Sequence, residues 1–119
     1  MPTPNLLKKL VLAVTVMTLS AAAFWPGVRN GFVWDDYPYI VQNPLVRDFS
    51  AAGLKRIFTT VHFGLYKPVA IASFALNYKF AALDPAPYHV TNILLHSVNA
   101  GLVFLLIFLL VRSKGAAFL

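Results

Sequence analysis

The sequence predicts an all-α membrane protein: two transmembrane helices joined by an outer loop in which two shorter helices lie parallel to the membrane. Three observations lead there. The chain is 59% hydrophobic and only 12% charged, against roughly 45–50% and 25% in soluble domains. Its mean hydropathy is +0.70. Two long apolar runs each sit beside basic residues, and 119 residues are too few to bury so much apolar surface in a water-soluble core.

The first run, Leu10 to Trp25, follows Lys8-Lys9 and closes at Pro26-Gly27, so residues 1–25 read as an N-terminal anchor with a Trp at the interface. A cleavable signal peptide is the competing reading, because Ala21-Ala22-Ala23 supplies small residues at the right place. The retained anchor is favoured, since a longer apolar segment follows and ends in basic residues.

That segment, residues 88–111, is bounded by Arg112 and Lys114. About 24 residues at 1.5 Å each reach about 36 Å, enough to cross with tilt. With Lys8 and Lys9 on the same side, the positive-inside bias puts both ends in the cytoplasm and residues 26–87 outside. Six basic residues within the loop weaken the contrast. Residues 112–119 read as a cytoplasmic tail or the start of a further span, because Gly115 to Leu119 turns apolar again.

Within the loop, Asp48-Phe49-Ser50 offers caps for a helix over residues 51–60, with Leu54, Ile57, Phe58 and Val61 on one face and Lys55 and Arg56 on the other. A second helix is expected from Pro68 to about Leu83, ended by Asp84-Pro85-Ala86-Pro87.

Composition also excludes functions. The ten Lys and Arg are scattered and form no basic face interleaved with aromatics, so nucleic acid is not an expected partner. Cys and Glu are absent; no thiol chemistry is available, and every side-chain carboxylate function rests on Asp35, Asp36, Asp48 or Asp84. The tandem acids Asp35-Asp36 emerge from an aromatic stretch just after the first span. Paired carboxylates near a membrane disfavour joint ionisation, which suits one of them to accept a proton. The competing reading is a turn or helix cap.

On the second span, His89, Asn92, His96 and Asn99 fall within one arc of roughly 80° at 100° per residue. They are expected to face other helices or a wet cavity. His89 and Asn92, nearer the outer end, are candidates for substrate binding, and His96 and Asn99 for helix packing. The seven-residue spacing of the two histidines is not that of a helix-borne metal pair, and no metal ligand is assigned. Lys67, directly before Pro68, combines a cation with the free amides of a helix start and is a candidate phosphate holder. Arg56 and His62 are weaker candidates.

Four ordered blocks then carry a resemblance: Asn30-Gly31-Phe32-Val33-Trp34-Asp35-Asp36; Tyr39-Ile40-Val41-Gln42-Asn43-Pro44; Tyr66-Lys67-Pro68-Val69 with Ser73-Phe74 and Leu76-Asn77-Tyr78; and Tyr88-His89-Val90-Thr91-Asn92-Ile93-Leu94-Leu95-His96. Over residues 28 to 111 the chain resembles the N-terminal region of the transmembrane and tetratricopeptide-repeat glycosyltransferases, a class related to the protein O-mannosyltransferases. The resemblance implies inverting transfer of a mannose-like sugar from a polyprenyl-phosphate carrier to an acceptor hydroxyl on a protein or glycan. It also implies that Asp35 is the general base with Asp36 its partner, that Lys67 stands where relatives commonly carry Arg, and that further helices and repeats follow on a longer chain. No cofactor is implied beyond the lipid-linked donor, and a divalent metal is left open. The expected location is a bacterial inner membrane rather than the endoplasmic reticulum. The alternative is a small two-span protein that acts only by assembling with partners.

The topology is testable with Ser50→Cys and Ser113→Cys in intact cells. An impermeant thiol reagent is expected to label the first and spare the second; the reverse pattern inverts the assignment.

Overall fold

The computed structural model describes residues 6–112, and the basic stop at Lys114 and the apolar tail of residues 115–119 lie outside them. Four α-helices follow in order: α1 (Leu6–Phe24), α2 (Ala51–Thr59), α3 (Pro68–Ala81) and α4 (Pro85–Arg112). There is no strand among the described residues; a single isolated bridge joins His62 and Leu65. Two compact units result, residues 1–28 with 90–119, and residues 29–89.

α1 with its 3₁₀ continuation (Trp25–Arg29) makes a 24-residue apolar stretch, and residues 85–111 of α4 make another of 27 residues. Both exceed the roughly 20 residues needed to cross about 30 Å of hydrocarbon. Leu6, Leu10, Val14 and Leu19 on α1 and Leu95, Leu102, Leu106 and Leu109 on α4 are all exposed, as side chains facing lipid must be. Three hydroxyls within the spans bond back to their own helices: Thr15 donates to Val11 O and Thr18 to Val14 O at 2.9 Å, and Ser97 to Ile93 O at 2.7 Å, whereas the buried Ser20 hydroxyl finds no partner among the described residues. An apolar medium offers them no other acceptor. The helices approach closely at Gly101, where an added Cβ would come within 2.7 Å of the Met17 side chain. Small residues at such a crossing are what membrane helix packing favours. The His96 ring packs edge-on against Phe24, with centroids 4.8 Å apart.

The loop unit has its own core of Val46, Ile57, Ile71 and Ala75, all at most 4% exposed. These come from a 3₁₀ turn (Pro44–Arg47), α2 and α3. Ser50 caps α2 by accepting from Gly53 N–H, and Asp48 accepts from Ser50 N–H while pairing with Arg56. Those bonds hold the Asp48 carboxyl below its ordinary value, Ser50 being the largest cause and Arg56 a further one.

The helix ends refine two expectations. α3 stops at Ala81 rather than near Leu83, because Ala82 turns to φ +49° and donates to Tyr78 O at 2.8 Å. The segment Asp84-Pro85-Ala86-Pro87 is not merely a break between helices. It opens α4 three residues before the anticipated start at residue 88: both prolines sit in a first turn, where a missing N–H costs nothing, and Asp84 Oδ1 accepts from Ala86 N–H at 3.1 Å.

Gly53 lies against the Asp48 backbone so closely that a Cβ there would collide with the Asp48 carbonyl oxygen and carboxyl carbon. Gly53→Ala is therefore expected to cost about 1–3 kcal/mol by overpacking. It would appear as a lower thermal midpoint in detergent, with the spans still helical by circular dichroism.

Candidate functional site

The acidic pair stands in a strained turn. Trp34 takes φ +46° and is 90% exposed, a backbone region costing a non-glycine residue about 1–3 kcal/mol when the surroundings impose it. Two bonds close this turn: Asp36 N–H donates to Val33 O, and Asp36 Oδ2 accepts from Val33 N–H, both at 2.9 Å. The chain then winds into a short π-helix (Tyr37–Val41), whose wider register is a recurrent feature of functional sites. Asn43, fully buried, fastens its far end: its amide donates to Tyr39 O at 3.1 Å and its oxygen accepts from Leu45 N–H at 3.0 Å.

The two aspartates thus have different surroundings. One oxygen of Asp36 is committed to the backbone, as the turn reading anticipates. Asp35 is exposed and its carboxylate has no hydrogen-bond or ion-pair partner among the described residues, leaving it free to accept a proton from an incoming group.

Both aspartates line one cleft of about 200 Å³ with Tyr39, Lys67, Ala70, Ile71 and Phe74. Lys67 is brought there by the start of α3; it occupies the helix N-cap position with Pro68 following, and its Nζ lies 4.8 Å from the centre of the Tyr39 ring. No side chain caps these helix amides. The cleft therefore sets carboxylates and a cation around a small space with apolar walls at Ala70, Ile71 and Phe74. It is smaller than the roughly 300–1,000 Å³ of pockets that enclose a whole ligand, and so suits the reacting ends of larger molecules.

Other candidates fall elsewhere. His89 does not line the cleft; its Nε2–H donates to Asn30 O at 3.0 Å, tying α4 to the segment that leads into the acidic turn. Asn92, on the span unit, is exposed, as is Asn99, and His96 is exposed apart from its Phe24 contact. His62 donates to Pro38 O at 3.1 Å and stacks edge-on with Phe63 and Tyr39, bracing the π-helix. Arg56 is engaged by Asp48. Among the described residues no cluster of three or more His or Asp side chains is arranged to hold a metal. Tyr39, whose ring carries the Lys67 cation, and Asn43 acquire roles that their sequence context alone did not assign.

Two helices long and apolar enough to cross a membrane, with a loop between them that gathers two carboxylates and a cation in one small cleft, define an all-α membrane protein. Sequence relatives give that class a family. The chain is 31% identical over 102 residues to human protein O-mannosyl-transferase TMTC3, covering 77% of this chain and 11% of that protein. It is 35% identical over 98 residues to Drosophila melanogaster protein O-mannosyl-transferase Tmtc1, covering 73% and 11%. It is 34% identical over 99 residues to Caenorhabditis elegans protein O-mannosyl-transferase F38B6.6, covering 75% and 14%. Over the stretch it shares with them, the chain belongs to the TMTC family of protein O-mannosyl-transferases. It spans 11% to 12% of the length of the human and mouse TMTC3 proteins. No family model matches the chain. No solved structure matches it either.

These relatives come from human, mouse, fly and worm, which points against the bacterial inner membrane expected from the sequence. Flanking charges report which side of a bilayer a loop occupies, and carry no information on whose bilayer it is.

The division between the aspartates makes a structural prediction. Asp36→Ala removes the acceptor of Val33 N–H and is expected to destabilise the loop unit by about 1–3 kcal/mol. Asp36→Asn keeps an acceptor oxygen, and Asp35→Asn touches no internal bond; both are expected to melt within about 0.5 kcal/mol of the parent. Equal midpoints for Asp36→Ala and Asp35→Asn would remove the asymmetry.

Proposed function

We propose that this chain contributes the acceptor-activating part of a membrane glycosyltransferase that moves a mannose-like sugar from a polyprenyl-phosphate carrier to an acceptor hydroxyl. The observation that carries this reading is the meeting of Asp35, Asp36 and Lys67 in one cleft, across more than thirty residues of sequence. The relatives are protein O-mannosyl-transferases, which supports the same class.

In this mechanism the Asp35 carboxylate takes the proton of the acceptor hydroxyl as its oxygen forms the new bond to the anomeric carbon. The bond from that carbon to the carrier's phosphate oxygen breaks, and the phosphate departs with the electron pair, inverting the sugar. Lys67 and the uncapped amides at the start of α3 stabilise the charge gathering on the phosphate. Asp36 positions the turn that aims Asp35. A lysine supplies charge without the two-pronged grip of arginine, so donor orientation rests more on the surrounding walls. Those walls come from further helices of a longer chain, which also carries tetratricopeptide repeats. The loop of residues 26–87 faces the extracytoplasmic side, where lipid-linked donor and protein or glycan acceptor meet.

A second reading, assembly without catalysis, has one observation in its favour: Asn92, His96 and Asn99 remain exposed on an otherwise apolar span. Sugar transfer from a polyprenyl-phosphate donor, measured on the complete natural chain carrying these residues at matched abundance, separates the two. Asp35→Asn is expected to lower turnover by about 10²–10⁴-fold. Lys67→Ala should lower both donor affinity and turnover, and His96→Ala should act on assembly alone. Near-parental turnover in Asp35→Asn would remove it as the base.

A further inference from the structure

A second and larger cleft of about 430 Å³ opens on the loop unit, lined by residues that the acidic site does not use. It carries two cations, Arg47 and Lys79, two hydroxyls, Ser50 and Tyr78, and an apolar floor at Val46 and Ala75. No carboxylate lines it. The nearest acid in sequence, Asp48, is already engaged by Arg56 and by Ser50 N–H.

The two cations are held differently. Arg47 is built in: it donates to Tyr78 Oη at 2.6 Å and to Val41 O at 2.8 Å, with its guanidinium carbon 5.1 Å from the centre of the Tyr78 ring. Lys79 rests on aromatic faces, 5.5 Å from the Phe49 centroid and 5.8 Å from that of Phe80. Its ammonium thus retains hydrogen-bonding capacity for an anion.

An independent observation indicates which anion. Val69, Leu76 and Phe80 share one face of α3, at roughly 0°, −20° and 20° on the helix, opposite the buried Ile71 and Ala75. They are 73%, 43% and 79% exposed. An apolar ridge with a basic cleft beside it, in a unit whose sequence neighbours on both sides are long enough to span a membrane, matches a molecule with a phosphate head and hydrocarbon tails.

We propose that the Arg47–Lys79 cleft binds the phosphate headgroup of an acidic phospholipid, whose acyl chains lie along the Val69–Leu76–Phe80 ridge. Lys67 and Lys79 are twelve residues apart on the same helix, about 18 Å. The lipid site is therefore distinct from the acidic cleft and does not depend on the sugar-transfer reading.

The test uses the full chain purified in detergent with equimolar phosphatidic acid and phosphatidylcholine, with retained lipid counted by native mass spectrometry. The parent is expected to retain phosphatidic acid preferentially. Lys79→Glu and Lys79→Gln should lower that preference, by roughly tenfold for the charge reversal. Lys79→Arg should restore it, and Lys55→Glu, on α2 and outside the cleft, should leave it intact. Circular dichroism and a monodisperse profile establish folding, and the milder Lys79→Gln decides the matter if the reversal fails to fold. Parental preference in Lys79→Gln, an equal loss in Lys55→Glu, or displacement of phosphatidic acid by an equal concentration of inorganic phosphate would each overturn the proposal. Sugar transfer is not the readout, so failure here leaves the acidic site untouched.

Discussion

Everything in the loop unit hangs from the way α3 is seated. Ile71 and Ala75 pack against Val46 and Ile57, and that contact sets the height of a helix whose two ends do different things. At its start it delivers Lys67 to the acidic turn, and near its end it delivers Tyr78 and Lys79 to the basic cleft. The core is small, four buried residues with partly buried neighbours such as Phe74 and Tyr78, so the seat is reinforced by polar bonds. Arg47 reaches from the 3₁₀ turn to Tyr78 on α3, and Tyr88, 1% exposed, donates to Ala82 O at 2.7 Å from the first turns of α4. Moving α3 by one turn would separate Lys67 from the carboxylates, which is why packing residues distant from the cleft are expected to affect its chemistry.

The acidic turn shows how a short sequence can assign unlike roles to like neighbours. Adjacent residues in a turn leave in different directions. Asp36 falls back on Val33 N–H and closes the loop; Asp35 is left outside it. The strain at Trp34 is the cost of that arrangement, offset by the Asp36 bonds and by the Asn43 clamp on Tyr39 O. A second non-glycine residue with positive φ, Phe63 at +48°, sits with Gly64 at +72° in the tight turn between His62 and Leu65. Both turns flank Tyr39, the ring beneath the Lys67 cation. Two of the three positive-φ non-glycine residues among the described residues thus border the cleft, as expected where geometry is held against local preference, and the third, Ala82, ends α3.

Much of this was legible in the sequence, for identifiable reasons. The spans were readable because long apolar runs with basic flanks have few other solutions. α2 and α3 were readable from Ser50 as a cap and Pro68 as a first-turn residue. The convergence of Asp35, Asp36 and Lys67 was suggested only by resemblance, since nothing in local pattern brings residues 35 and 67 together. The start of α4 was missed because Asp-Pro-Ala-Pro reads as a breaker until Asp84 is seen capping it. The bond from His89 to Asn30 O was not legible because helical periodicity registers a shared face and cannot register a single hydrogen bond. The basic cleft was invisible for the same reason: Arg47 and Lys79 lie far apart in sequence, and α3 is apolar on two faces, which hides the exposed ridge from any periodic test.

That second apolar face also separates what acid can do to this unit from what lipid can do. The Asp48 carboxyl sits below its ordinary value of 3.8, so its contribution is fully present above that value and is lost only as pH falls through the lower folded one. Between neutral and mildly acidic conditions the Asp48–Ser50–Arg56 cap is constant, and it provides no switch there. The exposed Val69, Leu76 and Phe80 are different, because apolar area in water costs about 25 cal/mol per Å² at any such pH. A lipid or a neighbouring helix that covers them would stabilise α3 directly, and with it the position from which Lys67 lines the cleft. Covering that apolar face, rather than protonating Asp48, is therefore the change expected to alter the stability of α3 between neutral and mildly acidic pH.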